Sequence, residues 1–508
     1  MKYLLAILLI TFCSQTFAQQ FTLIEKGEIA TDTTNTNGAS FVDYDNDGDL
    51  DIFLSNANTP FGFNTLYKNQ GNDVFEKVNA GEVTNMQTVS FGHTWGDYDN
   101  DGLLDLFVVN AFTNIGSLLY KNLGNDKFQR NENYNSGKSN VMGFAASWRD
   151  FDNDGYLDLT VIHPAGGFVG LPTTGNFLFK NNGDQFGSFT EELTTPVTRR
   201  TAPFTNANWV DYDMDGDSDL FIGSGPANGT LAPDFHYKNM LNETGALSFQ
   251  QIRNTTFAND SLDGQTWNWI DIDNDGDLDA YMTNWGGVQG GFKNNLYLNK
   301  GDTIVRVNEG AIVNDIGISL ANVWADFDND GDLDVYVGNG GNQPNRYYEN
   351  DGKGNFTSIE KGHFVETAKN TWGVSAGDYN NDGRVDLFVS NKTGYIRGGD
   401  VNFLYRNDTN NNNNWIIIKC VGEKSNKTGI GTKIKLTSKI DGKAVTQYRE
   451  IGSNATFLGI NDLRAHFGLN KSKTIDKVEL IWPSGQVDRY ENVNSNQILV
   501  ATEGKSLK

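Results

Sequence analysis

Cysteine is nearly absent from this chain: two in 508 residues, Cys13 and Cys420. Cys13 lies in "MKYLLAILLITFCSQTFAQQ", where Lys2, an apolar run from Tyr3 to Phe12 and the small-residue end Thr16-Phe17-Ala18 read as a secretory signal peptide cut after Ala18. Bulky Phe12 precedes Cys13 where a lipidated cysteine wants a small residue. Cleavage leaves Cys420 alone, which excludes an intrachain disulfide. An exported chain without disulfides needs another staple, and metal is the natural candidate. The apolar run is too short to span a bilayer and no second long one exists, so no transmembrane segment is expected. Histidine is scarce too: His93, His163, His236, His363 and His466 show no zinc-ligand spacing. Proline is rare (9) and glycine abundant (56), which suits tight turns between short strands. Aromatics at 12% and hydrophobics at 38% are enough for packed cores and exclude a disordered chain.

What the chain has instead is a repeat. The stretch "DYDNDGDLD" (Asp43–Asp51) returns at Asp97, Asp150, Asp211, Asp271, Asp326 and Asp378, 52 to 61 residues apart. Such a period marks a propeller or solenoid with one supersecondary unit per repeat. Each unit reads as four short strands. An apolar lead-in ("VSFGHTWGDY") precedes the acidic turn, and a second strand follows it ("DIFLSN", "DLFVVN", "DVYVGN"). A Gly/Asn-rich loop leads to a third ("TLYKN", "LLYKN", "RYYEN", "FLYRN"), and a turn to a fourth ("VFEKVNAGE", "KFQRNENYN"). Four strands per unit is the make-up of a propeller blade. The seventh unit lacks its fourth strand, running from Phe403–Asn407 into "DTNNNNNW". Its counterpart lies at the other end of the chain, where "QFTLIEKGEIA" (Gln20–Ala30) matches "NFTSIEKGHFV" (Asn355–Val365). The expected fold is therefore all-β: a seven-bladed propeller closed by the N-terminal strand, with no free sheet edge.

Within each turn, oxygen-bearing side chains recur at positions 1, 3, 5 and 9 around a glycine at 6, with position 7 offering a backbone carbonyl. The candidate ligands are Asp43, Asp45, Asp47, Asp49 and Asp51; Asp97, Asp99, Asp101, Leu103 and Asp105; and Asp150, Asp152, Asp154, Tyr156 and Asp158. Next come Asp211, Asp213, Asp215, Asp217 and Asp219; Asp271, Asp273, Asp275, Asp277 and Asp279; and Asp326, Asp328, Asp330, Asp332 and Asp334. The last set is Asp378, Asn380, Asp382, Arg384 and Asp386, expected to bind most weakly because it has one charge fewer. Hard oxygen donors in a tight glycine-bearing loop suit Ca²⁺, with up to seven ions, better than Mg²⁺, which keeps more water. An EF-hand needs an acidic residue at position 12; here that position is Leu54, Val108, Val161, Ile222, Met282, Val337 and Val389, so the loop must end by entering a buried strand. The loops hold 31 aspartates, and without them the formal charge of −24 becomes +7. The acidity is thus local to the loops and offers nucleic acid no surface.

These turns fit D-x-[DN]-x-[DN]-G-x-x-D, and on them the chain resembles FG-GAP/VCBS-type repeats of integrin-alpha-like β-propellers, which implies Ca²⁺-binding loops. "NWIIIKC" (Asn414–Cys420), "GIGTKI" (Gly429–Ile434), "HFGL" (His466–Leu469) and "VELIWPSGQV" (Val478–Val487) resemble an ASPIC/UnbV domain, as in secreted relatives of cartilage acidic protein. The implied organisation is a signal peptide over residues 1–18, a propeller over 19–410 and a β-rich ASPIC/UnbV-like domain over 411–508.

Catalytic signatures are few. "GVSAG" (Gly373–Gly377) matches G-x-S-x-G, but that motif needs a strand-to-helix turn, and here it leads straight into an acidic loop. His466 reads as structural. Trp95, Trp148, Trp209, Trp269 and Trp324, each two residues before a loop, read as packing between blades. The strand-two-to-three loops emerge opposite the acidic turns and carry aromatics among amides: Phe61, Phe63, Phe112, Phe168, Trp285, Phe292 and Tyr395. That composition suits sugar stacking or protein contact. The functional expectation is a secreted, periplasmic or cell-surface binding or adhesion module for carbohydrate or protein, with mainly structural Ca²⁺. The alternatives are a lyase-like carbohydrate-active enzyme using the same face, and a biosynthetic accessory protein, which rests on the UnbV resemblance alone.

Overall fold

The computed structural model describes residues 20–57, 62–111, 115–134, 141–165, 174–301, 303–394, 398–453 and 455–508. The fold is all-β, a β-propeller followed by a second β unit. Seven four-stranded antiparallel sheets use the strands between Phe21 and Asn407. The first is Thr36–Val42, Asp51–Asn56, Thr65–Asn69 and Phe75–Lys77, and the next five repeat that order. In the seventh, Phe21–Leu23 pairs antiparallel with Phe403–Asn407, Phe21 opposite Asn407. The N-terminal strand thus closes the last sheet, as its likeness to the segment around Asn355 predicts.

First strands are buried along almost their whole length because sheets meet on both of their faces. Each packs on the first strand of the next sheet, and Thr371–Gly377 packs on Thr36–Val42, so the seven make a closed ring. The position-12 residues lie inside, 0–1% exposed, which is why no acidic ligand stands there. All five loop-preceding tryptophans are buried in aromatic contacts such as Trp209 on Phe151 and Trp324 on Phe356. Fourth strands are shorter than the sequence reading has them, only three or four residues each. One-turn helices follow several of them, such as Glu82–Asn85 and His363–Glu366, because each segment must bend back to the ring after burying one or two apolar residues.

The two-to-three loops and the four-to-one connections share one face. They pair in short ribbons, such as Phe292–Lys293 with Ile316–Gly317 and Gln343–Pro344 with Ala368–Lys369. The acidic loops lie at the other ends of the strands.

Beyond Asn407, a three-stranded sheet sets Asn414–Val421 between Ala465–Asn470 and Ile498–Thr502, the latter parallel. A four-stranded sheet is built from Lys443–Glu450, Lys433–Ile440, Thr474–Ile481 and Val487–Asn494. This unit sits on the acidic-loop face. Its hairpin, Ala455–Thr456 paired with Gly459–Ile460, enters the ring axis. At the tip, Phe457 (0% exposed) touches Phe144 and Trp372 from two different sheets. Polar bonds fix the hairpin all round the axis: Asn206 Nδ2 donates to the Thr456 carbonyl (2.9 Å), Asn268 Nδ2 to that of Ala455 (2.8 Å), and Ser375 Oγ to that of Ile460 (2.9 Å). The approach needs glycine. A Cβ at Gly38 would lie 1.9 Å from the Leu458 carbonyl oxygen, and one at Gly459 would lie 2.2 Å from that of Ala39.

Candidate metal centres

Each acidic loop is shaped by two residues with positive φ. Position 4 (Asn46, Asn100, Asn153, Met214, Asn274, Asn329, Asn381) lies at 55–62° and the position-6 glycine at 84–107°. Asparagine tolerates the left-handed region and glycine has no Cβ to clash there, so "D-x-D-N-D-G" is a backbone prescription as well as a ligand list. The position-1 carboxylate accepts the glycine N–H, for example Gly102 to Asp97 (2.6 Å) and Gly331 to Asp326 (2.8 Å). This turns the carboxylates of positions 3 and 5 toward it. One oxygen each from Asp43, Asp45 and Asp47 lies within 4.8 Å of the others, and so do the sets Asp97/Asp99/Asp101, Asp150/Asp152/Asp158 and Asp211/Asp213/Asp215.

Buried acceptors without donors test whether this donor set fits a cation. Asp51 Oδ2, Asp99 Oδ1, Asp152 Oδ1, Asp211 Oδ1, Asp219 Oδ2 and Asp273 Oδ1 have no hydrogen-bond partner. A buried unpaired carboxylate oxygen is costly unless a positive charge faces it. Burial, reinforced by neighbouring aspartates, pushes the Asp51 and Asp279 carboxyls up to about 8, Asp219 to about 9 and Asp97 to about 7. Lysines from third strands meet part of the deficit: Lys121 pairs with Asp99 and Asp101, and Lys238 with Asp213 and Asp215. An oxygen-only donor set with this charge excess fits a hard cation of the Ca²⁺ type.

Two further sets of asparagines stitch neighbouring units, and sequence reasoning assigned a role to neither. Position-4 amides donate to the position-6 carbonyl of the next loop: Asn46 to Gly102 (2.6 Å), Asn100 to Gly155 (3.0 Å), Asn153 to Gly216 (3.2 Å), Asn274 to Gly331 (3.3 Å), Asn329 to Gly383 (2.9 Å), and Asn381 back to Gly48 (3.2 Å). Met214 cannot donate and interrupts the belt. The asparagine ending each third strand donates its backbone N–H to the position-9 carboxylate of its own sheet, as Asn69 does to Asp51 (2.8 Å). In six of the seven its amide also reaches the position-2 carbonyl of the preceding loop, as from Asn122 to Tyr44 (2.7 Å) and from Asn69 to Tyr379 (2.9 Å). The signal for both was recurrence: asparagine stands at position 4 in six of the seven loops and ends all seven third strands.

The C-terminal unit covers these loops. Lys419 reaches Asp43 Oδ2 (3.1 Å), Lys433 pairs with Asp211, and Arg464 donates to the Asp378 carbonyl and to Asn381 Oδ1 (both 2.8 Å). Arg149 and Glu450 form a buried pair across the junction. His466, lowered to about 4 by burial, places Nε2 3.1 Å from the Gly383 carbonyl. Ser375 of "GVSAG" is buried mid-strand, accepting from the Phe41 N–H and donating to Ile460, which removes it as a nucleophile.

On the opposite face, Phe63 is exposed, whereas Trp285 and Phe292 are half-buried against the glycines of their own loop, Gly287 and Gly286. Phe61, Phe112, Phe168 and Tyr395 lie outside the described residues. Sequence reasoning also passed over Lys392. It is fully buried, bonded to Asn37 Oδ1 and 3.0 Å above the Trp372 ring, and burial holds its amine well below the lysine range.

The ASPIC and UnbV family model matches residues 422–508, and the FG-GAP-like repeat model matches 43–108, 271–337 and 326–389. The third and fourth loops fall outside those matches. Cartilage acidic protein 1 of Xenopus tropicalis is 23% identical over 489 residues, spanning 89% of this chain and 70% of that protein. Among solved structures, an Agrocybe aegerita lectin that recognises non-reducing terminal N-acetylglucosamine aligns at 17% identity and TM-score 0.41, covering 66% of this chain and 84% of the lectin. Rhamnogalacturonan lyase YesW aligns at 14% and 0.37, covering 74% and 72%. Similarity at that level carries no functional argument. Among the described residues no helix is long and apolar enough to cross a membrane. The chain carries FG-GAP-like repeats followed by an ASPIC and UnbV domain, and is distantly related to cartilage acidic protein 1.

Proposed function

We propose that this chain is an exported seven-bladed β-propeller, residues 19–410, held together by up to seven Ca²⁺ ions and capped by the domain over 411–508. It would bind an extracellular carbohydrate or protein on the face opposite the acidic loops. Bound Ca²⁺ would supply the positive charge that the clustered aspartates lack; Asp43 to Asp386 would hold it through positions 1, 3, 5 and 9 and the carbonyl at 7. The observation that carries the reading is the cover over the loop face. With Lys419, Lys433 and Arg464 on the loops and Phe457 in the axis, the broad surface left is the one bearing the two-to-three loops.

A glycan array on the mature chain tests this, followed by product analysis of every hit. Binding without turnover is expected, and Phe63→Ala should weaken a hit at least tenfold while leaving the melting temperature within about a degree, since surface substitutions typically change stability little. Cleavage of the bound glycan would replace the binding module with a lyase-like enzyme. Binding that survives loop-face substitutions but also survives Phe63→Ala and Trp285→Ala would move the ligand site elsewhere.

A further inference from the structure

We infer that the sixth loop, Asp326–Asp334, is the tightest cation site of the chain, made so by Glu349 and covered by the C-terminal domain. The inference rests on the cation-binding reading above and deepens it by ranking the sites.

The other loops carry an internal competitor. In the first four sheets the residue before the last asparagine of the third strand is lysine, and Lys68, Lys121, Lys180 and Lys238 each pair with the carboxylates at positions 3 and 5. In the fifth, Lys300 reaches Asp273 at 3.0 Å from two positions further on. In the seventh the loop's own Arg384 pairs with Asp382. A metal entering any of these meets a positive charge already in place. In the sixth sheet the equivalent residue is Glu349. Among the described residues no lysine or arginine ion pair reaches Asp326, Asp328, Asp330, Asp332 or Asp334. Arg449 of the C-terminal unit is near enough to act on Asp326 and Asp332 through space without pairing with them. Exchanging an ammonium for a carboxylate beside a dication reverses the sign of one interaction, and a half-buried group is screened little by salt.

Two more features single out this loop. All nine of its residues are buried or half-buried, whereas each of the other six loops has at least one exposed residue. The cover is specific: the Asn470 N–H donates to the Asn329 carbonyl (2.8 Å) and Asn413 Nδ2 to that of Asp328 (2.9 Å), while Gly468 packs on Asp326. In addition, the Tyr347 hydroxyl donates to Asp334 Oδ2 (2.8 Å), where the other third strands have Leu66, Leu119, Leu178, His236, Leu296 and Leu404. Asp334 is thereby oriented before any ion arrives. An ion seated here has more negative charge around it, less competition and less exposure to solvent than at the other loops, so it should leave last.

The test counts Ca²⁺ retained by the mature full-length chain after dialysis against graded chelator, by metal analysis alongside competition titration. One ion is expected to persist after the others are stripped. Glu349→Lys, which recreates the arrangement of Lys121, should weaken that last site at least tenfold and remove the persistent ion, and Glu349→Gln should weaken it several-fold. Lys121→Glu should add a second slowly lost ion. Should Glu349→Lys fail to fold, Glu349→Gln and Lys121→Glu carry the test. A persistent ion indifferent to both Glu349 variants, or retention that maps to another loop, overturns this inference alone. Absence of Ca²⁺ binding at any loop overturns the parent reading as well.

Discussion

Stripping divalent cations with EGTA at pH 8 is expected to lower the melting temperature by about ten degrees or more, with full recovery when Ca²⁺ is added back. A ligand at a hundredfold its Kd stabilises the folded state by about 2.7 kcal/mol per site. Several occupied loops therefore contribute enough to move the midpoint of a large domain by that much. The pH dependence supplies an independent signature. In the metal-free chain Asp51, Asp97, Asp219 and Asp279 have folded pKa values of about 8, 7, 9 and 8, raised above the ordinary carboxylate value by burial and mutual repulsion. A group whose pKa is higher folded than unfolded binds more protons when folded, so its contribution is complete below about pH 4 and is lost as pH rises through its folded value. Chelated protein should therefore melt at a higher temperature at pH 5 than at pH 8. With Ca²⁺ present the order should reverse, because the ligands must ionise to bind. Thermal unfolding at both pH values, with and without EGTA, reads this directly. A melting temperature indifferent to EGTA at pH 8 would refute structural Ca²⁺.

Phe457→Ala is expected to destabilise the chain by about 3–5 kcal/mol, the usual consequence of truncating a buried aromatic to alanine. The residue lies at 0% exposure in the ring axis against Phe144 and Trp372, so its ring is shared by two sheets and the C-terminal unit. A cavity there cannot collapse easily, since the surrounding first strands are tied to one another around a closed ring. Denaturant unfolding of the variant against wild type measures the effect, and Phe186→Ala, at a side chain 65% exposed, is the matched control with little expected change. A loss below about 1 kcal/mol would mean that the hairpin is an ornament on the propeller and not part of its core. The same variant should also release the sixth-loop ion faster, because the hairpin and the cover over that loop belong to one unit.

Much of this was legible because it is local and repeated. The acidic turn carries its own backbone instructions in asparagine and glycine, and seven copies in register make it visible despite weak similarity between units. Closure by Phe21–Leu23 was readable because a displaced strand keeps the wording of its siblings. The apolar position 12 announced a buried strand and excluded the EF-hand. Lys392 and the two asparagine belts escaped, since Asn37 and the carbonyls that receive the belt amides are contributed by other sheets and leave no spacing rule within one repeat.

By itself, then, the sequence determined the repeat, the all-β class, the closing strand and the acidic turns, each of which is a pattern of residue types over short distances. The tertiary structure alone decided which loops the C-terminal unit covers, which loop is least exposed and where the C-terminal hairpin goes. Those outcomes depend on contacts between residues hundreds of positions apart, such as Lys419 with Asp43 and Phe457 with Phe144. Such contacts are selected by the geometry of the assembled ring, and neither partner advertises the other along the chain.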